Sequence, residues 1–160
     1  MRNAFKNYPT NAALCNCVGE VLGQAGDAAG AMGEFRKAYL LSPNNPMPLL
    51  NAARVYQQLG QSVASEAHIR EAMLRDNSLV LAYVDCAQLC LQTARGSAPT
   101  GGDDDTIAVD LKAQQAQRAE QHLERATSLC RHISEIADVF ATKAIAKIHL
   151  DILETHGSSC

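Results

Sequence analysis

The sequence predicts an all-α fold in which helix–turn–helix units stack into an α–α solenoid closed by a C-terminal capping helix. Three observations predict it: a helix-favouring composition, motifs that return every 34 residues, and small–large–small triplets at helical spacing. Of the 160 residues, 47% are hydrophobic but only 4% are aromatic, and none is Trp. Alanine is abundant, and Leu, Gln, Glu and Arg are common; all favour helix. Few segments gather Val, Ile and Thr, so sheet is not expected.

The period is read from aligned landmarks. Pro9 and Pro43 are 34 residues apart, and Asn77 falls 34 further on. Ala4, Ala38 and Ala72 keep the same step, as do Gly26 and Gly60. This is the period of the tetratricopeptide repeat, a helix–turn–helix unit. The register resembles that family's consensus. Residues 12–45 form one repeat, with Gly19 as the small residue of its first helix and Gly26 at the turn. Ala31, Phe35 and Ala38 are the triplet of its second helix, four and three apart and therefore on one face. Residues 46–79 form the next, with Tyr56, turn Gly60 and the triplet Ser65, Ile69 and Ala72. Here Ala53 stands for the glycine and Asn77 for the closing proline. Glycine at the turn admits positive φ, and proline stops the second helix. The resemblance implies a right-handed superhelix, in which each pair stacks on its neighbour because it cannot bury its own face.

A third repeat spans residues 80–132. Tyr83, Cys86, Ala87 and Cys90 take the core positions of its first helix, and Ala119, Leu123 and Ala126 restore the triplet. That triplet is displaced by 20 residues, which places an insertion between the two helices. Residues 95–111 carry Gly96, Pro99, Gly101, Gly102 and Asp103 to Asp105, and read as a flexible, solvated loop with helix resuming near Lys112. No EF-hand spacing follows the aspartates. The capping helix is expected over 133–156, with an apolar stripe of Ile133, Ile136, Ala137, Phe140, Ala144, Ile148 and Ile152. Residues 1–11 match only the tail of a preceding repeat, so the sequence reads as an excised piece of a longer array whose cut N-terminal face pairs two copies into a homodimer.

Function classes narrow by exclusion. A formal charge of −3 argues against nucleic acid, which a basic face would meet. No apolar run is long enough to span a membrane, and no signal peptide opens the chain. With no secretory signal, the six cysteines are read as reduced thiols; Cys86 and Cys90, one helical turn apart, are taken as small buried hydrophobes rather than a zinc half-site. No phosphate loop, nucleophile elbow or zinc-protease motif is present, and His68 and His122 are read as surface residues. No enzyme activity, metal or cofactor is expected.

Binding is the remaining class. In the tetratricopeptide family the first helix of each repeat lines a concave groove. The register then assigns Asn16, Glu20 and Gln24 to the groove from the first complete repeat. It assigns Leu50, Arg54, Gln57 and Gln58 from the second, and Leu81, Val84, Gln88 and Leu91 from the third. Amides can bond a peptide backbone while the apolar groups bury side chains, so a polypeptide is the expected ligand. Repeats that grip the C-terminal carboxylate of cytosolic chaperones carry a basic set of residues. Here Asn51 matches one position, but Asn16 and Glu20 replace a Lys and an Asn, and Leu81 and Asp85 replace the last basic pair. A chaperone-tail clamp is not expected.

A narrower resemblance lies over about residues 123–153. Glu124 to Cys130, then Ser134-Glu135-Ile136-Ala137, then the alanine-rich Ala141 to Ala146 is similar in order to the C-terminal end of the seventy-kilodalton import receptor of the mitochondrial outer-membrane translocase. The insertion departs from that pattern. The resemblance implies a precursor-binding role on the cytosolic face of the outer membrane, with carrier-type or presequence segments as ligands and the anchor outside this chain. It also implies that Hsp70 or Hsp90 would dock only through repeats absent from this piece. The alternative is a scaffold module of another multiprotein complex.

Overall fold

The computed structural model describes residues 11–96, 105–130 and 139–147, all helix or short turn. They fall into two units, which divide after Asn77. The first unit holds α1 (Ala12–Gln24), α2 (Ala28–Leu41), α3 (Met47–Gln58) and α4 (Ser62–Arg75). The second holds α5 (Val80–Gly96), α6 (Asp105–Leu129) and the helical residues 139–147.

Local chemistry sets each helix of the first unit. The Asn11 side chain accepts from Leu14 N–H at 3.1 Å, and Asp27 accepts from Gly30 N–H at 2.9 Å, so α1 and α2 begin on side-chain caps. Pro46 precedes α3, and Asn45 Oδ1 accepts from Met47 N–H at 3.0 Å. Gly26 and Gly60 have φ of +83° and +72°, the left-handed turns expected at those positions. Within the unit α1 packs on α2, α3 on α4 and α2 on α3, and α1 also touches α3.

The core of this unit follows the triplets. Ala31 and Ala38 are fully buried and Phe35 nearly so. Gly19 is what admits the ring: a Cβ there would lie 2.5 Å from Phe35 Cε1. Ala52 and Val55 of α3 close over the same ring, with Leu22, Ala28 and Met32 at the margin. Ser65, Ile69 and Ala72 are all fully buried. The repeat ends are tied by Arg75. Its Nε donates to Pro43 C=O at 2.9 Å, its Nη2 donates to the Tyr39 hydroxyl, and its guanidinium lies 5.1 Å from that ring's centroid.

In the second unit α5 packs against α6. Ala116, Ala119, Leu123 and Ala126 are fully buried and three or four apart, so they form one face of α6. Helix α5 continues through Gly96 and α6 starts at Asp105, so residues 95–111 are not loop throughout. Residues 106–111 contain no Gly or Pro, and nothing in them interrupts a helix. The rest of the insertion, and the expected half-repeat at residues 1–10, lie outside the described residues.

The capping helix needs a second correction. Among the described residues of that stretch, Val139, Thr142 and Ala146 are buried, whereas Phe140 is 58% exposed, Ile145 42% exposed, and Ala144 is also exposed. The buried face is therefore rotated from the stripe read in the sequence. The stripe was read from helical period, and a second set, Val139, Thr142 and Ala146, recurs at steps of three and four on a different face. Ile133, Ile136, Ala137, Ile148 and Ile152 lie outside the described residues.

The histidines are not simple surface groups either. His68 is half-buried; its Nδ1 donates to Ala64 C=O at 2.9 Å and its ring lies 5.0 Å from that of Tyr56. His122 is half-buried with its ring 6.3 Å from that of Tyr83. Cys86 and Cys90 are also half-buried, not sealed in the core. Among the described residues no group of three His, Cys, Asp or Glu is placed to hold a metal ion. No helix among them is long and apolar enough to cross a membrane.

Candidate polypeptide-binding cleft

The side chains of α1 and α3 in the first unit build an inner cleft of about 370 Å³. From α3 it takes Met47, Asn51, Arg54, Val55 and Gln58, a stripe with steps of three and four residues. From α1 it takes Glu20, Gly23 and Gln24, and Phe35 of α2 reaches it from behind. The two stripes are equivalent: Glu20 and Arg54, and Gln24 and Gln58, are each separated by the 34-residue period.

A hydrogen-bonded cluster forms the polar wall. Asn16 Nδ2 donates to Glu20 Oε1 at 2.8 Å, and Asn51 Nδ2 donates to the same oxygen at 2.6 Å. Asn51 Nδ2 also donates to Asn16 Oδ1 at 3.1 Å, and Arg54 Nη1 reaches Asn51 Oδ1 at 3.4 Å. Asn16 and Asn51 are buried, so their amides require these partners. The cluster ties α1 to α3 and places a carboxylate and a guanidinium at one end of the cleft. Gln24 and Gln58, both exposed, keep their amides available at the other.

Glu20, Gln24, Arg54 and Gln58 thus come together as the sequence places them, with Asn16 in the supporting network. Gln57 is half-buried and does not line the cleft. Leu50 is fully buried and belongs to the core. It precedes Asn51 by one residue, about 100° round the helix, and shares its buried side with Ala53. In the second unit, Val84 and Leu91 are 3% and 4% exposed and are likewise core residues in α5, while Leu81 is half-buried and Gln88 exposed. Register alone assigns both polar and apolar residues of the first helices to the groove. The large apolar ones are drawn into the packing instead. Asn51, Met47, Gly23 and Val55 were missed as lining residues. The available signal was helical spacing: Asn51 and Val55 lie three residues before Arg54 and Gln58, and Gly23 three after Glu20.

On α1, facing Glu34 of α2, Cys15 is buried. Burial pushes its thiol above the ordinary value of 9.0, and the nearby Glu34 carboxylate adds to the shift. Glu34 in turn pairs with Lys37 at 2.5 Å and raises that ammonium's pKa. Cys15 is therefore a neutral packing residue, whereas Cys17 is exposed.

No protein-family model matches the chain, and no curated protein matches it. Among solved structures, the chain is similar to the first TPR domain of Spaghetti (RPAP3) bound to the HSP90 peptide SRMEEVD. The TM-score is 0.59 over 84% of this chain and 94% of that one, at 16% sequence identity. The fold is a tetratricopeptide-type helical repeat. At this identity the likeness speaks for the fold and not for a shared ligand.

Proposed function

We propose that this chain is a protein-binding tetratricopeptide-type module that holds a polypeptide segment in the cleft between α1 and α3. The observation that carries the reading is the cleft itself: a pre-built groove with exposed amides at one end, an apolar floor of Val55 and Met47, and a carboxylate–guanidinium wall. Amides serve the ligand backbone, the floor takes its apolar side chains, and the wall sets its orientation.

The bonding of Asn51 narrows the ligand. Its amide already donates to Glu20, so an incoming carboxylate would meet Glu20's charge instead of a free donor. An acidic tail such as the SRMEEVD peptide held by the structural neighbour is disfavoured. Neutral or basic amphipathic segments are favoured. This agrees with the narrower proposal, which rests on the sequence resemblance over residues 123–153: the chain is the precursor-binding part of a mitochondrial outer-membrane import receptor. A scaffold role is a second reading. It is favoured by Phe140 and Ile145, large apolar groups exposed on the helical residues 139–147, which suit a folded partner.

Fluorescence anisotropy with labelled peptides tests the proposal. A presequence-type or carrier-type peptide should bind, and Gln24→Lys with Gln58→Lys, which removes both exposed amides and adds like charge, should weaken the basic presequence-type peptide by about tenfold or more. The SRMEEVD peptide should bind at least about tenfold more weakly than either. Tighter binding of SRMEEVD would reverse the charge argument. No binding of either precursor peptide, with capture of one folded protein through Phe140, would favour the scaffold. Leu50→Glu and Leu91→Glu are unsuitable variants, because both positions are buried and the substitutions would test folding.

A further inference from the structure

A second cleft, of about 440 Å³, opens on another face of α3, where α2 and α4 flank it. Met32, Tyr39, Pro48 and Leu49 make it largely apolar, and Phe35 borders both clefts. Its volume is in the range of about 300–1,000 Å³ that ligand pockets occupy.

Two features of its rim have no role in the fold. Gly33 lies within α2, where a glycine weakens a helix. Yet a Cβ at Gly33 would meet nothing within 4 Å, so no packing demands it. What its missing side chain does is leave the cleft mouth open. Beside it, Arg36 is exposed and joins no ion pair or hydrogen bond among the described residues. Around it Glu34 is paired with Lys37, Glu66 with Arg70 and Glu71 with Arg75. The Tyr39 hydroxyl accepts from Arg75, which leaves its own proton to donate. No carboxylate lines the cleft. Its polar rim therefore offers donors and positive charge above an apolar floor.

We propose that this cleft is a second docking site, for a partner polypeptide that carries a bulky apolar side chain next to a carboxylate. The side chain enters past Gly33 onto Met32 and Leu49, and the carboxylate pairs with Arg36 in the two-pronged geometry that guanidinium favours. The proposal is independent of the inner-cleft reading, since the preferred charge is opposite and the lining, Phe35 apart, is different.

The test is an amide chemical-shift titration of the isotope-labelled full chain with acetyl-Gly-Phe-Asp-Gly-amide. Shifts are expected at Met32, Gly33, Arg36 and Leu49, and not at Gln24 or Gln58, which report on the inner cleft. Replacing the peptide's Asp by Lys, or its Phe by Ala, should weaken binding at least about tenfold. Arg36→Glu should do the same. Gly33→Leu should block the mouth while leaving the thermal midpoint unchanged or higher, which separates occlusion from misfolding. No shifts around Arg36 at millimolar peptide, equal binding of the Lys peptide, or undiminished binding by Gly33→Leu would each overturn the proposal. So would phenylacetate binding as tightly as the peptide, because the site would then be one for a small acid.

Discussion

The two repeats of the first unit solve one packing problem in different ways. In the first, a large ring, Phe35, fills the space between helices, and Gly19 yields the volume it needs. In the second, Ile69 takes the ring's place and Ala53 the glycine's, both fully buried. The second repeat also buries a hydroxyl: Ser65 Oγ has no hydrogen-bond partner among the described residues, at a position where the first repeat has Ala31. Total volume is roughly conserved while its distribution changes, so the consensus constrains a sum across the helix pair more than any single residue.

That comparison can be broken most severely at Phe35. Phe35→Ala should cost about 3–5 kcal/mol, read by denaturant unfolding, because Gly19 leaves nothing to refill the cavity. Gly19→Ala should cost about 1–3 kcal/mol by forcing its Cβ into the ring. In a Phe35→Ile background, which imports the second repeat's solution, the same change should be nearly neutral; a double-mutant cycle with no coupling would show that the two positions do not share volume. Ser65→Ala should raise stability by about 1 kcal/mol, since it removes a buried unpartnered hydroxyl. A loss there would mean that the hydroxyl finds a partner in solution.

The smallest effect expected is a pH dependence at Cys15. Its thiol ionises less readily in the folded chain than in the unfolded chain, so the folded state binds more protons above the ordinary value of 9.0. Stability should therefore fall as pH rises through that value, and Cys15→Ala should flatten the decline. Iodoacetamide should modify exposed Cys17 well before Cys15.

The architecture was legible in the sequence because its signals are local and repeated. A glycine with positive φ and a triplet at spacing four and three act within one turn or one helix pair, and the 34-residue period confirms each against the next. The cleft was legible only in part. Glu20, Gln24, Arg54 and Gln58 are polar residues on a first helix, and polarity keeps them at the open face. Leu50, Val84 and Leu91 were misplaced because helical period alone does not tell a groove-lining apolar residue from one wedged between helices. The buried face of residues 139–147 failed for a related reason: Val139, Thr142 and Ala146 share helical spacing just as the stripe with Phe140 and Ala144 does, and period alone does not choose between two faces. The outer cleft left no sequence signal beyond Gly33, whose meaning needs its empty surroundings.

The central claim is that a polypeptide lies along the stripe of Gln24, Asn51, Arg54 and Gln58. Photo-crosslinking tests it directly, with a benzophenone amino acid placed in turn at Gln24, at Gln58 and at exposed Leu74 of α4, each irradiated with a labelled presequence-type peptide. Strong labelling from positions 24 and 58 with none from 74 is the predicted result. Equal labelling from all three, or labelling from 74 alone, would contradict it.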